Sequence, residues 1–62
     1  MKTEQEIRNK YKECLDRFAK AYHKGERTEN MFVALTVIGW VMGKDVNTVE
    51  DDILKAVNEY RG

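Results

Sequence analysis

A chain of 62 residues allows one small domain, spanning 1–62, and excludes a second. Eleven Lys and Arg balance 11 Asp and Glu, so no net field draws the chain to nucleic acid or to an anionic membrane. The lone cysteine, Cys14, excludes an intrachain disulfide, and a chain this short hides only about 60% of its unfolded surface on folding. Its stability must then come from regular helix packing or self-association.

The first ten residues, MKTEQEIRNK, lack the apolar core of a signal peptide, and the longest apolar run is short of a bilayer span. An intracellular, cytoplasmic protein without a membrane segment is expected. Charge is slightly uneven along the chain: residues 1–31 hold eight basic against six acidic side chains, and residues 32–62 hold three against five. Ordinary solvated surface accounts for so small a difference.

Thr3 and Glu6 have the spacing of a capping box, so a helix is expected to begin at Thr3. Ile7, Tyr11, Cys14, Leu15, Phe18, Ala21 and Tyr22 then recur every three or four residues. At 100° per residue they share an arc of about 120°, one apolar face. Glu6 with Lys10 and Glu13 with Arg17 stand at the favourable i,i+4 spacing on the polar side. Gly25 is placed to close the helix in a left-handed turn. Lys10, Arg17, Lys20 and Lys24 lie along one edge where an anion could rest, but Glu13 sits among them and no aromatic side chain is interleaved. A solvated face is the simpler reading.

Glu26 and Arg27 follow Gly25 in a short connection, and Thr28 can cap the next helix with Glu29 in its first turn. The next stretch, MFVALTVIGWVM from Met31 to Met42, is the only long apolar run. Its Val, Ile and Thr content suits a strand. Neither flanking segment alternates with period two to pair with one, however, and 12 residues without a turn signal favour a helix. On a helical wheel Met31, Leu35, Ile38 and Met42 form one seam, and Val33, Val37, Trp40 and Val41 form another roughly opposite. A helix hydrophobic all round must be surrounded, and two partner helices cover only part of its circumference. The remainder is expected to meet a second copy. The strip of Phe32, Thr36 and Gly39, with Trp40, is the candidate interaction surface, because Gly39 would admit a close backbone approach; tight packing against the first helix is the competing use of Gly39.

Gly43 to Val46 end the central helix, and Asn47 with Glu50, or Thr48 with Asp51, can cap the third. Glu50, Asp51 and Asp52 would suit the positive end of its dipole. Val49, Ile53, Ala56, Val57 and Tyr60 give its inward stripe, with Leu54 at the margin.

No catalytic, cofactor or metal signature emerges. Cys14 and the single histidine, His23, lie nine residues apart on one helix, about 180° apart in azimuth, so they form no dyad within it. One His and one Cys provide no metal-ligand cluster. Gly43, with Thr48, Val49 and Ile53 after it, resembles the turn and second helix of a helix-turn-helix motif over about 20 residues. That resemblance implies a DNA-binding regulator. Lys44 departs from the apolar residue usual after the Gly, and the acids Glu50, Asp51 and Asp52 stand where readers of the major groove bring basic or amide side chains.

The sequence therefore predicts an all-α domain of three helices, near 3–24, 28–42 and 48–60, forming a homodimer through its central helix. It is expected to be a non-enzymatic interaction or regulatory protein, needing no cofactor or metal. A DNA-binding regulator is the competing class.

Overall fold

Thr3 starts the first helix as its spacing from Glu6 predicts: its hydroxyl oxygen accepts the Glu6 amide at 3.2 Å, and the hydroxyl donates to the Glu6 carboxylate at 3.3 Å. In a computed structural model, which describes residues 3–60, the helices are α1 (Glu4–Lys24), α2 (Glu29–Val41) and α3 (Val46–Glu59). Each packs against the other two.

Both interhelical turns are closed in one way. The Glu26 amide donates to Ala21 O at 2.9 Å after α1, and the Lys44 amide donates to Gly39 O at 2.8 Å after α2. This is the Schellman pattern, and it needs a left-handed residue inside each turn. Gly25 (φ 77°) and Gly43 (φ 83°) supply it. Exposed ion pairs at i,i+4, Arg8 with Glu4 at 2.6 Å and Arg17 with Glu13 at 2.7 Å, line the outside of α1; pairs so exposed add little stability.

Two expectations about caps are corrected. Thr28 occupies the N-cap of α2, yet its side chain makes no capping bond there, its backbone lying at φ −119°, ψ 4° instead of in the extended region. α3 begins two residues earlier than expected, at Val46. Asp45, extended at φ −85°, ψ 173°, accepts the Thr48 amide at 2.8 Å, so neither Asn47 nor Thr48 is the cap. The first turn of α3 thus carries no acid, and Glu50, Asp51 and Asp52 lie further along the helix. The capping bond from the Thr48 backbone also holds the Asp45 carboxyl below its usual value. We expect Asp45→Ala to lower the melting temperature in thermal unfolding followed by circular dichroism, and Asn47→Ala to leave it nearly unchanged.

The core is Tyr11, Phe18, Leu35, Val49 and Ile53, with Leu35 and Val49 fully buried; Cys14, Leu15, Met31, Phe32, Ile38, Met42 and Val57 pack around it. Of the two seams of α2, that of Met31, Leu35, Ile38 and Met42 is the one turned inward. On α1 the expected face is turned inward except at Tyr22, which is exposed; Ala21 of that face is buried, and so is Ala19 beside it. Because α1 touches both other helices, its covered arc is wider than one apolar stripe, and small side chains occupy the close approaches. Leu54, placed at the margin of α3, lies outside.

Candidate interaction surface

The outer face of α2 is apolar and uncovered. Val33 is 60% exposed, Val37 56%, Trp40 77% and Val41 56%, and Ala34 beside them is exposed as well. These five stand at offsets of three and four residues, so they form one continuous stripe. No charged residue falls between Asn30 and Gly43. A shallow groove with Ile7, Lys10 and Glu13 of α1 borders the stripe beside Val37 and Val41. On its other side Thr36, Trp40 and Val46 frame a second concavity.

The four residues expected to form the surface do not lie together on it. Trp40 does. Phe32 packs against the core. Thr36 is half-buried, and its hydroxyl donates to the Phe32 carbonyl one turn back at 2.9 Å. Gly39 is buried, and a Cβ there would lie 2.5 Å from Val49 Cγ2 and 3.8 Å from the Tyr11 ring. The close approach that Gly39 permits is to α3 of its own chain, with Tyr11 of α1 at van der Waals distance. Beside Trp40 the exposed stripe is made of Val33, Ala34, Val37 and Val41, and the three valines stand in the second seam of the helical wheel.

The second notable arrangement is polar. Tyr11 of α1 donates its hydroxyl to Asp52 Oδ2 of α3 at 2.7 Å, Lys44 Nζ from the α2–α3 turn reaches the same oxygen at 3.1 Å, and its ammonium stands 5.4 Å from the Tyr11 ring centroid. Burial, then the bond to Asp52 and its negative charge, push the Tyr11 phenol well above its ordinary value. Burial by itself would raise the Asp52 carboxyl, but the bonds from Tyr11 and Lys44 and the charges of Lys44 and Lys55 hold it low.

A pH dependence follows for each group. The raised phenol contributes stability that is present below the unfolded value, near pH 10, and lost as pH rises beyond it; the lowered carboxyl contributes stability present above about pH 4 and lost as pH falls further. Tyr11→Phe should cost about 1–2 kcal/mol at neutral pH and flatten the alkaline loss, measured by urea unfolding across the pH range. A variant with the wild-type alkaline limb would contradict this.

Cys14 is half-buried on α1. His23 donates Nε2–H to the Val57 carbonyl at 2.9 Å and stacks on Tyr60 at 5.2 Å, fastening the end of α3 to the end of α1. Among the described residues no group of three or more His, Cys, Asp or Glu side chains is placed to hold a metal ion, and no helix is long and apolar enough to cross a membrane. At the helix-turn-helix resemblance, Gly43 makes the turn and Val49 and Ile53 are buried. Glu50 and Asp51 are exposed on α3. Comparison with protein-family models, with curated proteins and with solved structures finds no match to this chain.

Proposed function

We propose that this is a small non-enzymatic interaction protein that self-associates through the outer face of α2. The observation that carries the reading is Trp40, the largest apolar side chain of the sequence, held 77% exposed at one end of a charge-free stripe. Isolated exposed apolar residues are ordinary, whereas contiguous ones mark interaction surfaces. The depletion of charge with an aromatic anchor is the composition of an interface centre.

DNA binding has less support, since Glu50 and Asp51 on the exposed side of α3 would repel phosphate.

Because Trp40 is the only tryptophan, its fluorescence reports on the surface directly. Emission should shift to the blue as protein concentration rises and the indole leaves water. Emission that stays red at every concentration would contradict self-association through this face.

A further inference from the structure

The exposed stripe of α2 has a symmetry of its own. Relative to Val37, its members stand at −4 (Val33), −3 (Ala34), +3 (Trp40) and +4 (Val41), which at 100° per residue spans about 60° to either side of Val37. The pattern of positions is unchanged on reversing the chain direction. Sizes are not: the large side chain is at the C-terminal end and the smallest at the N-terminal end.

We propose that two copies pair through α2 in antiparallel orientation, with the two-fold axis beside Val37, so that Trp40 of each copy lies against Val33 of the other and Val41 against Ala34. This rests on the self-association proposed above and adds its orientation and register. A two-fold interface must be complementary to itself, and large against small fills space as a core does. A parallel pair would set Trp40 on its own counterpart and leave a void between the Ala34 side chains. Antiparallel pairing also opposes the two helix dipoles and brings the Glu29 end of one copy to the Lys44 end of the other. Parallel pairing would place Glu29 beside Glu29. The Lys44 ammonium is already bound to Asp52, so steric fit contributes more than charge.

Cysteine cross-linking tests the register. Val33, Val37 and Val41 are exposed, so Val33→Cys, Val37→Cys and Val41→Cys, each in a Cys14→Ala background, are made with helix content checked by circular dichroism and mass by light scattering. A disulfide needs Cα atoms within about 7 Å. In the antiparallel pair the two Val33 positions are about 12 Å apart along the axis. Val37→Cys should therefore oxidise rapidly to a covalent dimer, Val33→Cys alone should not, and a mixture of Val33→Cys with Val41→Cys should. Cross-linking of Val33→Cys alone as fast as Val37→Cys, with the dimer mass retained, would overturn the orientation and leave self-association standing. A dimer in which Val37→Cys does not cross-link would overturn the register and the use of this face. A monomer mass for the wild type at all concentrations would overturn both proposals.

Discussion

Gly39→Ala destabilises the protein, and the same substitution made together with Val49→Ala stabilises it relative to Val49→Ala alone. Alanine in a helix gains about 1 kcal/mol over glycine, and Gly39 has no positive φ that would oppose a side chain. On propensity alone the change would help. The added Cβ, however, would lie 2.5 Å from Val49 Cγ2. Val49 is fully buried, and its β-branched side chain has few rotamers to move into. Overpacking of this kind costs about 1–3 kcal/mol, so a net loss of up to about 2 kcal/mol is expected once the propensity gain is subtracted. Removing the Val49 methyls costs about 2 kcal/mol by itself, but it empties the space a Cβ would enter. In that background the propensity gain re-emerges, at about 1 kcal/mol. Urea unfolding of the four proteins in a double-mutant cycle measures the coupling. A stabilising Gly39→Ala in the otherwise wild-type chain would show that α2 and α3 do not meet at this point.

Val37→Glu leaves the three-helix fold intact and abolishes self-association. Val37 is 56% exposed and supplies little to the core, so helix content should be retained. At the proposed axis the substitution would set two carboxylates facing each other in a seam without counter-charge. Like charges so placed cost several kcal/mol, which weakens the dimer by about a hundredfold or more. Mass action makes the melting temperature of an associating protein depend on its concentration. That dependence should be present in the wild type and absent in Val37→Glu. Equal concentration dependence in the two proteins would place the association elsewhere.

The sequence made the helices legible because their signals are local. Thr3 with Glu6, and Gly25 and Gly43 at the turns, act through bonds spanning three to five residues. The start of α3 is less legible because Asp45, Asn47 and Thr48 are all good caps, and the choice among them depends on where the turn after Gly43 releases the chain. Face assignment depends on distant residues and was harder. That α2 is apolar on both sides follows from composition, but which seam faces inward is decided by the positions of Tyr11, Val49 and Ile53 on other helices. Gly39 illustrates the difficulty: a glycine in an apolar helix signals a close approach without saying to what, and here Val49, ten residues later, fills the space. The bond from Tyr11 to Asp52 spans 41 residues and has no signature in either segment. Asp52 was visible only as one acid in a run of three.

Self-association is tested most directly by sedimentation equilibrium of the wild-type chain across a wide concentration range. The average mass should rise from 7.3 kDa to twice that value and stop there, as expected for a closed two-fold pair. A constant mass of 7.3 kDa up to the solubility limit would contradict it.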